Sequence, residues 1–202
     1  VTVETTLQLR AKGRNLFRVE LIYTFASNGM FTLRARLSAP SDKKLKRELA
    51  RFGVFFVMPE AFRSVTYYGL GEKENLPDFK AQSIMGVFEA DVASMHEDYI
   101  RPQDNGNHTG TRWLKLTDCD GAGWMIFRQE KDFTFNIHHY TQKLLQKAAH
   151  REDLYDEHTT AVTIDGFTRG AGSNSCGPEP WKNFIISAKE SLEFELSFMP
   201  LG

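Results

Sequence analysis

Residues 99–116 read YIRPQDNGNHTGTRWLKL and combine three kinds of sequence in one short stretch. Arg101-Pro102 precedes a turn-prone Asp-Asn-Gly-Asn cluster, and a strand-like Arg-Trp-Leu-Lys-Leu run ends the stretch. A buried polar side chain needs a hydrogen-bond partner, so this many donors and acceptors are unusual for a simple turn. The stretch therefore indicates either a binding site or a polar network that joins strands.

The sequence around this stretch alternates apolar and polar residues, which is typical of half-buried β-strands. The alternation is clearest over residues 7–11, 17–23, 31–37 and 192–198. Ser27-Asn28-Gly29 lies between two such runs and predicts a hairpin turn. Helical propensity is confined to residues 41–51 and 142–151. We therefore predict one all-β domain over residues 1–202, built as a large antiparallel sandwich.

Composition limits the function classes that the chain can belong to. It has 202 residues and a net charge of −1, so no basic patch for nucleic acid and no electrostatic contact with membranes is expected. The two cysteines, Cys119 and Cys176, are too few for a disulfide framework and favour a reducing cytoplasm. The chain begins with the strand-like Val-Thr-Val and has no initial Met, which we interpret as a piece of a longer polypeptide.

The sequence gives only weak support for any catalytic or metal-binding group. Glu72 and Glu74 occupy alternate positions and could form the carboxyl pair of a glycosidase, but their loop-like context favours a structural role. Asp118-Cys119-Asp120-Gly121 has the start of a calcium loop without its later ligands and predicts a hairpin turn instead. His138 and His139 should point to opposite faces of a strand, so they cannot readily share a metal.

A Gly/Ser/Pro-rich loop at residues 170–180, GAGSNSCGPEP, is the better candidate for contact with a ligand or a neighbouring domain. Its glycines and prolines permit an irregular path, and Asn174 and Ser175 offer adaptable hydrogen bonds. Loops of this kind on a rigid scaffold often carry function.

Three segments in order resemble the C-terminal domain of bacterial β-galactosidases of glycoside hydrolase family two. The first is YGLGEKENLPD at residues 68–78, and the third is DGF followed by GAGSNSCGP at residues 165–178. The second is the opening stretch, in which the matching positions are Tyr99, Pro102, Asn105, Gly106 and Arg112. We interpret these five residues and Arg101 as a structural motif that helps to join the interior of the sandwich or its surface toward a neighbouring domain.

The resemblance implies a supersandwich similar to the galactose mutarotase fold. It also implies that the catalytic glutamates of a retaining galactosidase lie in a separate barrel domain, so this chain holds no catalytic residue and is inactive alone. The parent enzyme would be an oligomer and would use Mg²⁺ and Na⁺ in other domains, with no cofactor in this chain. Asn174, Ser175 and Cys176 would lie nearest the β-galactoside substrate; Cys176 stands where some members have a Trp that stacks on sugar.

Two other functions stay open. A self-sufficient carbohydrate-binding module would need exposed aromatic side chains, for which the candidates are Tyr67, Tyr68, Trp124 and Trp181. An aldose epimerase on the same fold would need a histidine acid and a carboxylate base that converge on the sugar. The run Phe-Asn-Ile-His at residues 135–138 bears only a superficial similarity to such a site.

Overall fold

Antiparallel strands form nearly the whole fold in the computed structural model, which describes residues 1–11, 13–38, 48–172 and 177–202. Strands β1 to β14 are, in chain order, Thr2–Ala11, Arg14–Phe25, Phe31–Ser38, Glu48–Leu49, Arg51–Pro59, Ser64–Gly71, Ile84–Asp91, His108–Thr111, Trp113–Thr117, Gly123–Phe127, Phe133–His138, Thr159–Thr168, Ile186–Ser187 and Leu192–Leu201. The helix α1 covers Gln142–Lys147, and single 3₁₀ turns cover Val92–Met95, Arg151–Asp153 and Lys182–Phe184. The all-β prediction is confirmed.

The strands that the structure describes make two main sheets of unequal width. The large sheet has the order β1-β2-β3-β14-β10-β9-β6-β7, and the small sheet has the order β5-β12-β11-β8. A third, two-stranded sheet pairs β13 with β4. Neighbouring strands are antiparallel throughout.

The two main sheets pack face to face through large apolar side chains, as in a β-sandwich. Tyr67 of β6 contacts Phe135 of β11 with ring centroids 5.1 Å apart. Farther along the sandwich, Phe52 of β5 meets Phe194 of β14 edge to face at 4.9 Å. Of the runs predicted to alternate, residues 31–37 and 192–198 supply buried inward side chains to this core, whereas Leu7 and Leu9 in the run 7–11 are exposed.

Local sequence explains the turns. Gly29 adopts a φ of +83°, and Ala26 N–H donates to the Met30 carbonyl at 2.8 Å, so the hairpin predicted at Ser27-Asn28-Gly29 is confirmed. Gly121 adopts a φ of +84° in the β9–β10 turn, where Asp118 Oδ1 accepts from the Asp120 and Ala122 N–H groups. That region is the predicted hairpin turn.

The helical expectations had different outcomes. The segment 142–151 contains α1, whose first turn is capped by Thr141: its Oγ1 accepts from Leu144 N–H at 3.4 Å. In the segment 41–51, Glu48–Leu49 and Arg51 belong to strands, so the helical prediction is wrong there, while residues 41–47 lie outside the described residues. Tertiary pairing with β13 and β12 overrides the local helical propensity of these residues.

No helix within the described ranges is long and apolar enough to cross a membrane.

Replacing Tyr67 with Phe should raise the free energy of unfolding or leave it unchanged. Tyr67 is 1 % exposed, and its hydroxyl is buried without a hydrogen-bond partner, so its removal relieves a desolvation cost of about 1 kcal/mol. Tyr99→Phe is the matched control, because the Tyr99 hydroxyl donates to the Glu74 carboxylate and its loss should destabilise by about 1–2 kcal/mol. Urea unfolding measures the free energy of unfolding of both variants. A large loss of stability in Tyr67→Phe would contradict the assignment of an unsatisfied hydroxyl.

Candidate functional site

The three segments that carry the family resemblance meet around one cleft, although they are far apart in the chain. The cleft has a volume of about 560 Å³. Glu74 and Asp78 come from the first segment, Tyr99 and Asn107 come from the second, and residues 168–172 come from the third. We call this feature the motif cleft.

The opening stretch crosses the outer face of the small sheet, where β11 and β12 bury polar side chains. Asn136 Nδ2 donates to Asp104 Oδ1 at 3.1 Å, and His138 Nε2 donates to the Asn105 carbonyl at 2.9 Å. Asn105 is itself 1 % exposed, and its side-chain Oδ1 accepts from Glu97 N–H at 3.1 Å. The polar density of the stretch therefore serves hydrogen bonds inside the domain.

The other members of the predicted structural motif have different environments. Gly106 is buried with a φ of +66°, and a Cβ there would lie 2.3 Å from the Met95 carbonyl oxygen, so only glycine fits. Arg112 N–H donates to the Tyr68 carbonyl at 2.7 Å and links the stretch to β6. The Arg101 and Arg112 side chains are exposed, whereas Pro102 is half-buried. The interior part of the motif is thus Asn105 and Gly106 rather than the arginines.

Asn75 is a fully buried centre of hydrogen bonding that sequence reasoning did not single out. Its Oδ1 accepts from Thr109 N–H at 2.8 Å and from Thr109 Oγ1 at 2.6 Å, and its Nδ2 donates to the Leu70 and Lys73 carbonyls. Asn107 Nδ2 donates to the Asn75 carbonyl at 3.0 Å. Asn75 therefore joins the first and second segments. The sequence feature that could have pointed to it is its position beside Glu74 in the first segment.

Glu74 has a structural role in this arrangement. Its carboxylate accepts a short hydrogen bond from the Tyr99 hydroxyl and another from Gly106 N–H at 2.7 Å. Glu72 is exposed and precedes it in the loop after β6. The two carboxylates therefore have unlike surroundings, and Glu74 is already engaged by groups of the second segment.

Asp78 anchors the Gly-rich loop at the rim of the motif cleft. Its Oδ1 accepts from Ala171 N–H at 2.9 Å, and its Oδ2 accepts from Gly172 N–H at 2.7 Å. A Cβ on Gly170 would lie 2.5 Å from the Asp78 carboxyl group, so glycine is required for this close approach. One carboxylate thus sets the path by which the chain enters residues 173–176.

The predicted substrate-contacting residues Asn174, Ser175 and Cys176 lie outside the described residues, so their contacts stay a prediction. The described residues on either side are Gly172, which is held by Asp78, and Gly177. The other cysteine, Cys119, is free and exposed.

A buried carboxyl group beneath the cleft was missed by sequence reasoning. Asp165 is 2 % exposed, its Oδ1 has no hydrogen-bond partner, and its Oδ2 lies 3.6 Å from Arg51 Nε. Arg51 also makes a short ion pair with Asp104, so it bridges two carboxylates. Burial raises the pKa of Asp165 from 3.8 to about 7, an effect that the positive charge of Arg51 opposes.

Burial also shifts the pKa of His138, but downward, because the charged form of histidine is the protonated one. Its ring stacks on Tyr140 at 4.7 Å, and burial lowers its pKa to about 4. His139 is half-buried and its Nδ1 lies 3.0 Å from the Thr159 carbonyl oxygen, so the adjacent histidines do have separate environments. Neither a shared metal nor an acid–base pair on sugar follows from this geometry.

The aromatic candidates for a sugar platform are dispersed. Tyr67 belongs to the core, and Tyr68 follows it on β6 and points to the opposite face, beside Trp113 at 6.4 Å. Trp124 is half-buried and packs edge to face on Phe31. Trp181 is 79 % exposed. These four side chains therefore do not form one surface.

One group of described side chains could offer three ligand atoms to a cation: Glu60, Asp156 and His158, whose ligand atoms lie within 4.8 Å of one another. His158 Nδ1 lies 3.2 Å from Glu60 Oε2, and His158 N–H donates to Asp156 Oδ1 at 2.6 Å. These internal contacts explain the grouping without an ion, and we assign it none.

The fold and the cleft define a sandwich domain that presents a carboxylate-anchored, glycine-rich loop. The sequence model of the family described as "Beta galactosidase small chain" matches residues 1–199. The chain is 27 % identical to a β-galactosidase of Actinobacillus pleuropneumoniae over 98 % of this chain and 19 % of that protein. It is 37 % identical to one of Staphylococcus xylosus over 75 % of this chain and 15 % of that protein.

A β-galactosidase of Lactococcus lactis is 29 % identical over 98 % of this chain and 19 % of its own length. The chain therefore spans less than a fifth of the length of these curated relatives. Because the family match covers almost every residue, the chain belongs to the β-galactosidase small-chain family.

Asp165→Asn should change how the free energy of unfolding depends on pH. Between pH 4 and 7 the unfolded chain releases the Asp165 proton while the folded chain keeps it. The contribution of Asp165 to native stability therefore falls as pH rises, by up to about 4 kcal/mol, and is lost above pH 7. The variant lacks this contribution, so its stability relative to the native chain should grow from pH 4 to 7.

Urea unfolding of the 202-residue chain across this pH range measures the difference. Asp120→Asn, at an exposed turn, is the control for removing a surface carboxylate. Parallel curves for native chain and Asp165→Asn would contradict a raised pKa at Asp165.

Proposed function

We propose that this chain is the C-terminal, non-catalytic domain of a β-galactosidase that hydrolyses terminal β-D-galactosides. Membership of the small-chain family supports the proposal, as do relatives that are named β-galactosidases and are more than five times longer than the region matched. The rest of such a polypeptide would supply a catalytic barrel domain, on which this domain packs.

The domain's contribution would be to wall the entrance of the active site through residues 172–177. The observation that carries this proposal is the anchoring of the loop: Asp78 holds the Ala171 and Gly172 N–H groups at the rim of the motif cleft. Two hydrogen bonds to a charged acceptor are strong enough to fix the start of a glycine-rich segment. Asn174, Ser175 and Cys176 would then be the residues nearest the substrate.

The catalytic carboxyl groups of the enzyme would lie outside this chain. A retaining glycosidase needs two carboxyl groups about 5 Å apart, one as acid and one as nucleophile. Glu74 is engaged with Tyr99 and Gly106, which argues against its use as either group. This supports placing the catalytic glutamates in the barrel domain.

The proposal extends to the setting of the enzyme. A cytoplasmic location fits the free Cys119, since unpaired thiols are usual in reducing compartments. We also propose an oligomeric parent enzyme whose Mg²⁺ and Na⁺ are bound by other domains. Neither nucleic acid nor membrane is a proposed partner, because the net charge is only −1.

The isolated chain should not hydrolyse a chromogenic β-galactoside, whereas the full-length polypeptide should. We expect no hydrolytic activity from the isolated chain, because it would lack both carboxyl groups of the double-displacement mechanism. Turnover by the isolated chain at the full-length rate would overturn the assignment.

Calorimetric titration of the isolated chain with galactose and lactose tests the remaining alternative: millimolar or tighter binding would favour a self-sufficient carbohydrate-binding module.

Asp78→Ala in the full-length enzyme should raise KM for a β-galactoside about three- to tenfold. The loss of two charge-assisted hydrogen bonds frees the Gly-rich loop, and a tenfold change corresponds to about 1.4 kcal/mol. Asp118→Ala removes a similar capping carboxylate from the β9–β10 turn, away from the cleft, and should leave KM unchanged. An unchanged KM for Asp78→Ala would separate the loop from the active-site entrance.

A further inference from the structure

A second cleft, with a volume of about 520 Å³, adjoins the motif cleft. Residues 170–172 line the motif cleft and are absent from the second one, which therefore continues the concave surface beyond the residues that the two share. The second cleft also includes residues 101–102 of the opening stretch and several residues of α1 and its C-terminal end. We call it the helix cleft. Among the described residues, four line both clefts: Ala50, Arg51, Gln103 and Asp104.

The two clefts meet at a charged pair. Arg51 Nη2 donates to Asp104 Oδ2 in a short ion pair, and the two side chains are 26 and 47 % exposed. Asp104 Oδ1 also accepts from Asn136 Nδ2 at 3.1 Å and from Gln142 Nε2 at 3.2 Å, so the carboxylate is held by three side chains. The pair is therefore fixed in place and still reachable from solvent, and it can hydrogen-bond a polar ligand that lies across both clefts.

The helix cleft combines an apolar floor with free polar side chains. Leu145 is 4 % exposed, and Pro102 is half-buried. Arg101, Gln103 and Gln146 are exposed, and their side chains have no hydrogen-bond or ion-pair partner within the part of the chain that the structure describes. Exposed amides without partners are ordinary on a flat surface, but here they line a concave one. Apolar walls with a few convergent polar groups are typical of sites for small ligands.

This lining suits the surface of a sugar. An amide side chain both donates and accepts hydrogen bonds, and a sugar hydroxyl group does the same, so the two groups can pair in either direction. The C–H groups of a pyranose ring can pack on the apolar floor that Leu145 and Pro102 provide. A chain of linked sugars also has the elongated shape that two adjoining clefts require.

We propose that the motif cleft and the helix cleft together bind the leaving group of β-galactosides that are oligosaccharides. The inference rests on the proposed function, in which residues 172–177 wall the entrance of the active site beside the motif cleft. The barrel domain holds the galactose that is cleaved off, so the part of the substrate that emerges at the entrance is the leaving group.

The sugars of the leaving group then occupy the two clefts in order. The sugar next to the cleaved bond lies in the motif cleft, and the following sugars pass over Arg51 and Asp104 into the helix cleft. A disaccharide substrate has a single sugar in its leaving group and does not reach the helix cleft. Gln146, which lines only the helix cleft, is therefore a residue that sets specificity for long substrates.

Two substrates with the same terminal sugar and the same linkage test this inference: β-1,4-galactobiose and β-1,4-galactotetraose. The full-length polypeptide should have a kcat/KM at least about tenfold higher for the tetraose, and Gln146→Ala should lower this ratio about three- to tenfold, as expected for one lost hydrogen bond. Gln129→Ala removes an exposed amide that lines neither cleft and should leave the ratio unchanged.

The failure of this inference and the failure of the proposed function give different results. Hydrolysis of a chromogenic β-galactoside by the full-length polypeptide, with no preference for the tetraose or with a preference that Gln146→Ala leaves intact, would overturn the inference alone. No hydrolysis of any of the three substrates would contradict the proposed function, and the inference with it.

Thiol labelling shows whether the helix cleft is open in the full-length polypeptide. Gln146→Cys should react with a maleimide at the same rate there as in the 202-residue chain, and mass spectrometry locates the label. A reaction at least about tenfold slower in the full-length polypeptide would mean that another domain covers the cleft, because a covered thiol reacts only through local opening. That result would overturn the inference without any measurement of activity.

Discussion

The polar outer face of the small sheet is the constraint on which the rest of this domain depends. β11 and β12 pack their apolar side chains against the large sheet and turn Asn136, His138 and Asp165 outward. These groups are buried, so each needs a partner from another segment. Asp104 and Asn105 supply the partners of Asn136 and His138, which explains the polar content of this stretch. Asp165 lies instead beside Arg51 of β5.

Burial of ionisable groups on this face has two opposing consequences. The pKa of Asp165 rises to about 7 and that of His138 falls to about 4, because in both cases desolvation disfavours the charged form. As pH rises from 4 to about 6.5, the aspartate contribution to stability decreases while the histidine contribution increases. The face therefore loses less stability on mild acidification than the lowered pKa of His138 alone would indicate.

The same segments form the motif cleft, so structure and proposed function share their residues. Glu74 engages the second segment and Asp78 anchors the third, which makes the first segment the link between the sandwich interior and the Gly-rich loop. The outermost strand of the large sheet has a different character, since Val3, Leu7 and Leu9 of β1 are apolar and exposed.

Local sequence signals were enough to predict the all-β class, the hairpin turns and the family, because alternation, Asn-Gly turns and three ordered motifs can each be recognised without a structure. It also indicated that Tyr99–Leu116 is a polar network, but it could not distinguish Asn105, which is buried, from the exposed arginines at 101 and 112. Asn75, the Asp78 anchor, the buried Asp165 and the uncovered side of β1 were decided only by the tertiary structure. Each depends on contacts or burial between residues distant in the chain, and local sequence carries no record of which strand will cover which face.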